Sequence, residues 1–288
     1  MTTNLSLSHR NHEPELGVLY MVGTPIGNLE DISFRALNIL ENVSFIACED
    51  TRQTKKIMNR FNINNKLISF NQNNSNKKIP KIINNLKEGN AIAMVSDAGM
   101  PGICDPGEEL IKKAKIEGID VICIPGACAA LTALVSSGFS TSKFIFEGFL
   151  PKKKSARIKI LYEINNNTKT TILFESPHRL LKTLNELREI CGGCREIEIS
   201  RELTKKFEEH IGTNLDEVIN YFEREKVLGE ITIVIKGIDE NNIKREINTG
   251  NIKSELHELV SLGLTLSAAS KYLAKRENLT KNFVYKLY

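Results

Sequence analysis

Tryptophan is absent from the chain, and aromatic residues of all kinds make up only 6% of it. Any surface that stacks on bases must therefore be built from a few Phe and Tyr side chains. Long apolar runs are missing as well. No stretch approaches the roughly 20 apolar residues that a bilayer-crossing helix needs. Residues 1–15 are polar, with His9, Arg10, His12, Glu13 and Pro14 among them, and lack the apolar centre of a secretory signal. A loose tail and a cytoplasmic location are expected. Charge is nearly balanced: a net +4 permits an anionic partner without demanding one. The six cysteines form no repeated ligand pattern. Cys48 and Cys123 sit in apolar runs, Cys104 and Cys128 fall near loops, and the single C-G-G-C of Cys191 and Cys194 has no second Cys or His pair. Reduced thiols and no metal site are expected. A phosphate-cradling lysine loop is absent. The one near-match to a dinucleotide fingerprint, at Gly23, offers Thr24 and Pro25 where a second glycine and a backbone donor are required.

What is present is an alternation. Leu19–Val22, Phe45–Cys48, Ile92–Val95 and Val121–Ile124 are short and apolar, as buried parallel strands are. Between them Ile32, Ala36, Leu37 and Leu40 mark one helical face, and Ile79, Ile82, Ile83 and Leu86 another. A second series places strands near Phe144–Phe149, Thr171–Phe174, Glu196–Ser200 and Ile231–Ile235. Helices near Lys153–Ile164, His178–Ile190 and Leu215–Arg224 lie between them. The fold class read from this pattern is α/β: two tandem α/β units with mainly parallel sheets and a small C-terminal helical domain. The expected boundaries are 1–15 tail, 16–137 first unit, 138–237 second unit, 238–251 linker and 252–288 helical domain. In that last region Leu256, Leu259 and Val260 form one apolar face, and Ala268, Ala269, Tyr272 and Leu273 a second. Gly263 is a natural helix stop, and Thr280 caps a third short helix.

Position is the informative property of the unusual residues. Gly23–Asn28, Glu49–Arg52, Ser96–Pro101, Pro125–Ala130 and Phe174–Arg179 each follow a strand. Ligands of open parallel sheets sit beyond the carboxyl ends of strands, so five such loops predict one site on one rim. Small residues there let main chain approach a ligand closely. Taken singly, each turn also reads as an ordinary strand terminator.

Together these segments resemble the tetrapyrrole methylase superfamily, and within it the branch that modifies ribosomal RNA. The resemblance rests on V-G-T-P-I-G-N-L (Val22–Leu29), A-C-E-D-T-R (Ala47–Arg52), S-D-A-G-M-P-G-I-C-D-P-G (Ser96–Gly107) and P-G-A-C-A-A (Pro125–Ala130). It continues through F-E-G-F-L-P-K (Phe146–Lys152), F-E-S-P-H-R-L (Phe174–Leu180), R-E-L-T-K (Arg201–Lys205) and G-E-I-T-I-V (Gly229–Val234). Met100 and Ala127 depart from residues usual in the family. The resemblance implies 2′-O-methylation of a cytidine in the decoding region of 16S rRNA by a homodimer that uses S-adenosyl-L-methionine. By motif match, Pro25, Ile26, Ser96, Ala98, Gly99, Met100, Ile103, Cys128, Ala129 and Phe174 would surround that cofactor.

A ribose hydroxyl is a poor nucleophile, so a base or a cation should assist it. Glu49, Asp50 and Arg52 are the expected catalytic cluster, with no base assigned among the carboxylates, which also include Glu175 and Glu202. Ion pairs of Asp50 with Arg52 and of Glu202 with Arg201 are the structural alternative. Lys152, Lys153, Arg157, His178, Arg179, Arg201 and Lys205 are the expected RNA contacts, beside a basic tail carrying Lys271, Lys275, Arg276 and Lys281. A tetrapyrrole or corrin precursor as acceptor, or a non-catalytic RNA-binding assembly factor, are the competing functions.

Overall fold

The computed structural model describes residues 13–239, 249–276 and 279–288. The tail expected over 1–15 and the linker expected over 238–251 fall largely outside them. The described residues form two compact units, one of 13–165 with Lys169–Lys236, the other of Asn166–Thr168 with 237–239, 249–276 and 279–288.

In the larger unit the first sheet contains β1 (Leu19–Val22), β2 (Phe45–Cys48), β3 (Leu67–Ser69), β4 (Ile92–Val95) and β5 (Val121–Ile124). Their order is β3-β2-β4-β1-β5, all parallel. Burial at every position of β1, β2 and β4 explains why these four-residue strands read as unbroken apolar runs. Alternate side chains feed separate cores. Tyr20 and Val22 pack with Ala36, Ile39 and Leu40 of α1 (Phe34–Asn42) and Met58 of α2 (Thr51–Arg60). Leu19 and Met21 pack with Ile82 and Leu86 of α3 (Ser75–Lys87) and Leu110 of α4 (Glu108–Ile116). Helix α5 (Ala129–Ser136) follows β5.

The second sheet holds β6 (Phe144–Phe149), β7 (Thr170–Glu175), β8 (Glu196–Arg201), β9 (Glu209–Asn214) and β10 (Ile231–Ile235) in the order β6-β7-β10-β8-β9. Only β6 and β7 pair in parallel; the other three pairs are antiparallel. The expected parallel character therefore holds for the first sheet and is corrected for the second. The cause lies in β9, whose sequence E-H-I-G-T-N has no apolar alternation. The link from β8, residues 202–208, is too short for a crossover and forces a hairpin. Ile231, Ile233 and Ile235 face a core shared with α6 (Lys154–Asn165), α7 (Leu180–Cys191) and α8 (Leu215–Arg224). On the opposite face, Val234 and Ile172 meet Ala130, Ala133 and Leu134 of α5.

The smaller unit packs α9 (Thr249–Ser261), α10 (Leu266–Arg276) and α11 (Lys281–Tyr285) around Ile252, Leu256, Ala269, Leu273 and Val284. Gly263, at φ 98°, ends the α9 segment, and the Thr280 hydroxyl accepts from the Phe283 N–H at 3.3 Å. Ala268 and Tyr272, expected on the apolar face, point outward instead. Among the described residues no helix is long and apolar enough to cross a membrane.

Candidate functional site

The site begins where two strand ends touch. The Gly23 N–H donates to the Ile124 carbonyl at 3.1 Å, drawing the loop after β1 against the loop after β5. No side chain fits between them: a Cβ on Gly23 would stand 2.7 Å from the Gly126 Cα and equally close to the Met100 Sδ. The loop after β4 joins through a two-residue bridge. Thr24 N–H donates to the Gly99 carbonyl at 2.9 Å, and Gly99 N–H returns to the Thr24 carbonyl at 3.1 Å. Gly99 holds φ 74° to do so, a conformation that glycine adopts at low cost. The buried Ser96 hydroxyl lies 3.2 Å from the Ala98 carbonyl, inside the same loop.

The loop after β8 closes the other side. A Cβ on Gly27 would meet Lys205 and Thr204 at 2.4 and 2.7 Å, and the Asn28 N–H donates to the Thr204 hydroxyl at 3.0 Å. Glu202, Leu203 and Gly229 sit at a tight crossing, where Glu202 N–H donates to the Glu230 carbonyl at 2.9 Å and the Glu202 carboxylate accepts from Glu230 N–H at 2.8 Å.

These loops enclose a cavity of about 360 Å³, of the size that small-molecule sites occupy. Eight of the ten residues expected around the cofactor line it: Ile26, Ala98, Gly99, Met100, Ile103, Cys128, Ala129 and Phe174. Pro25 and Ser96 do not; both are buried behind the wall, where Ser96 braces the Ala98–Gly99 turn. Phe174 is held edge-on by Phe146 at 5.0 Å and tilted against Phe149 at 5.7 Å. Helix α5 opens at the wall with no side-chain cap, so its first N–H groups carry no partner from Cys128.

The expected catalytic cluster sits elsewhere. None of Glu49, Asp50 and Arg52 lines the cavity. Asp50 caps α2 through the Arg52 N–H at 2.8 Å and pairs with its guanidinium at 2.6 Å, which holds the carboxyl down at about 2. Asp105, Glu175 and Glu230 are the carboxylates in the wall, and Asp105 is the one whose titration is most displaced. Burial pushes it up to about 6, and the charge of Asp97 adds to the rise, while a hydrogen bond from Ser96 opposes it. Glu49 rises for the same main reason, burial, with Asp97 and Asp105 adding repulsion. Asp105 stands within a quoted motif, D-P-G, and only its loop setting masked it as a turn residue. Glu175 also reaches the wall, yet its oxygens are taken by the Ser176 N–H at 2.8 Å and the Thr183 hydroxyl at 2.7 Å. Cys104, Phe149, Ser176, Pro177, Leu203 and residues 229–232 complete the wall and were not singled out as site residues.

The expected RNA contacts divide. Lys152, Lys153 and His178 are exposed. Arg157 is a correction: it is buried, forked onto Glu186 at 2.6 and 2.7 Å and donating to the Pro151 and Lys152 carbonyls. Arg179 donates to the Leu150 carbonyl, Arg201 pairs with Glu209 rather than Glu202, and Lys205 bridges Glu202 and Glu230. These four cations are committed to the fold, because each loop they anchor needs a buried or half-buried acceptor satisfied.

A loop-built cavity at strand ends lies where open α/β sheets hold small ligands, and the sequence match makes the chain an S-adenosylmethionine-dependent methyltransferase. The chain belongs to the tetrapyrrole methylase family, whose model, Tetrapyrrole (Corrin/Porphyrin) Methylases, matches residues 18–219. It is similar to ribosomal RNA small subunit methyltransferase I of Halalkalibacterium halodurans, 42% identical over all of this chain and 99% of that protein. It is similar as well to the protein of the same name from Thermotoga maritima, 49% identical over 77% of this chain and 99% of that protein. Among solved structures, a cobalamin biosynthetic enzyme, cobalt precorrin-4 methyltransferase, superposes with a TM-score of 0.60 at 15% identity, over 76% of this chain and 95% of its own. That likeness concerns the fold.

Proposed function

We propose that this chain methylates small-subunit ribosomal RNA, at the ribose 2′-hydroxyl of a cytidine in the decoding region, with S-adenosylmethionine held in the loop-lined cavity. The observation that carries the reading is the end-to-end match to relatives named ribosomal RNA small subunit methyltransferase I, with the quoted loops converging on one cavity. The cavity wall fits the cofactor. Ala98, Gly99 and Ala129 leave main chain accessible, the uncapped start of α5 suits a carboxylate, and Ile26, Met100 and Phe174 offer apolar surface to an adenosine.

When bound, S-adenosylmethionine supplies a methyl group already activated on a sulfonium. The protein's tasks are alignment, exclusion of water and management of one proton. Apolar wall residues exclude water. Asp105, which lines the cavity, would accept the proton of the acceptor hydroxyl at a carboxylate oxygen; a carboxylate near 6 is largely ionised at neutral pH yet basic enough to be useful. Asp50 and Arg52 order the neighbouring loop, since the Asp50 N–H donates to Asp97 at 2.9 Å. Assembly as a homodimer in the cytoplasm is part of the same reading.

The test is transfer of labelled methyl to purified small subunits and to free 16S rRNA, followed by mass mapping of the modified nucleotide. Label on a cytidine ribose is the expected result. Label on a base, on protein, or only on a porphyrinogen precursor overturns it. Light scattering at micromolar protein reports the dimer.

A further inference from the structure

We propose that the C-terminal helical unit is a second RNA-binding element, separate from the methyl-transfer cavity, in which the outward face of α10 takes the phosphate backbone of the substrate RNA. The inference rests on the RNA reading above and adds a site to it.

Two independent observations meet. The first is a face. Between Leu264 and Tyr288 the chain has five basic residues, Lys271, Lys275, Arg276, Lys281 and Lys286, and one acidic residue, Glu277. Ala269, Leu273 and Ala274 bury the inner side of α10, so the i, i+4 pair Lys271 and Lys275 projects outward, with the exposed Tyr272 to one side of it. Neither lysine has a hydrogen-bond or ion-pair partner among the described residues. Arg276 is fixed by Glu255 and lies 5.9 Å from the Tyr272 ring centre, which orients that ring. Tyr272 remains 55% exposed and Tyr285 of α11 48%. Exposed rings interleaved with unneutralised ammonium groups match a ligand that presents both phosphates and flat bases.

The second observation is a length. The Thermotoga maritima relative aligns over 222 residues, and these are 99% of it. That extent equals the α/β unit, which in this chain ends at Lys236, and leaves no length for three further helices. A protein of the same name thus does without the unit. A unit that a protein of the same name lacks is one the chemical step does not need, and a basic–aromatic face suits it to holding substrate.

The experiment uses the full chain. Filter binding of 16S rRNA is measured across about 50 to 200 mM salt for the wild type, Lys271→Glu/Lys275→Glu and Tyr272→Ala. The charge reversal should weaken binding about tenfold or more and reduce the slope of log affinity against log salt by about 1.5, as two lost phosphate contacts would. KM for RNA should rise while kcat and cofactor affinity by calorimetry stay within about twofold. Lys271→Gln/Lys275→Gln should fall between the two, and an unchanged melting temperature verifies folding. Affinity and slope unaltered in the charge reversal, with wild-type RNA binding intact, overturn this inference alone. So does a loss seen on anionic phospholipid vesicles while RNA binding persists. Failure of the wild type to bind or methylate 16S rRNA overturns both readings.

Discussion

Gly23 and Gly126 share a contact that admits no side chain: a Cβ on either would come within 2.7 Å of the other's Cα. Neither glycine is needed for a left-handed backbone; each is needed for closeness. The contact holds the ends of β1 and β5 together directly behind the cavity wall, with Met100 Sδ packed over it.

Gly126→Ala should therefore separate two loops instead of straining one. Overpacking of this kind costs about 1–3 kcal/mol, and the larger effect should fall on the cofactor. Calorimetry is expected to give at least about a tenfold loss of S-adenosylmethionine affinity, since near 1.4 kcal/mol of misfit suffices. Affinity within twofold of wild type, with the melting temperature unmoved, would exclude this role.

Asp105→Asn tests the proton acceptor. A general base contributes typically 10²–10⁴ in rate, so kcat should fall by about that range while cofactor affinity is retained. In the wild type kcat should climb as pH rises through about 6, where the carboxylate ionises; the variant should be flat there. The sign for stability is opposite. The folded-state value lies above the ordinary 3.8, so ionisation penalises the folded chain. That penalty is absent below about 3.8 and complete above about 6, so the variant should melt no lower than wild type at neutral pH, as calorimetric scans would report.

Asp50→Ala separates support from chemistry. Its carboxyl is depressed from 3.8 to about 2 by Arg52, so its contribution to stability is present above about 4 and lost as pH falls toward 2. The variant should melt below wild type at neutral pH, the difference closing in acid. Its pH–rate midpoint should stay near 6. A displaced midpoint would assign Asp50 to the proton transfer.

Arg157→Ala should damage folding and leave RNA affinity alone. Removing one partner of a fully buried pair costs about 3–5 kcal/mol because the other charge stays buried; Glu186 is half-buried, so the loss should fall at or below the lower end of that range. Arg157→Met with Glu186→Leu should recover most of that loss in denaturant titrations. An RNA affinity that falls in the double variant, folded to the wild-type extent, would restore Arg157 to the binding surface.

Buried parallel strands were legible because burial at every position leaves an unmistakable apolar run, as at Ile92–Val95. The antiparallel half was less so. β9 lies at an edge, and its exposed residues Gly212 and Thr213 carry no hydrophobic period. The cavity loops were legible as turns after strands, and eight of ten side chains expected around the cofactor stand in its wall. Charged residues were read less well, for a physical reason: sequence gives the charge and not the partner. Arg201 finds Glu209 across a hairpin the sequence did not suggest, and Asp105 is distinguished from Asp50 only by the environment into which each loop turns.

Helix α5 starts in the cavity wall at Ala129, yet spends Ala130, Ala133 and Leu134 on the far sheet. Its loyalties thus lie with both halves, whatever the order of the chain suggests. Recombining halves from two homologues would have to keep α5 matched to the second sheet and its leading turn matched to the first. A crossover placed just after Ser136 would split one from the other, and chimeras cut there should be the least soluble of any series.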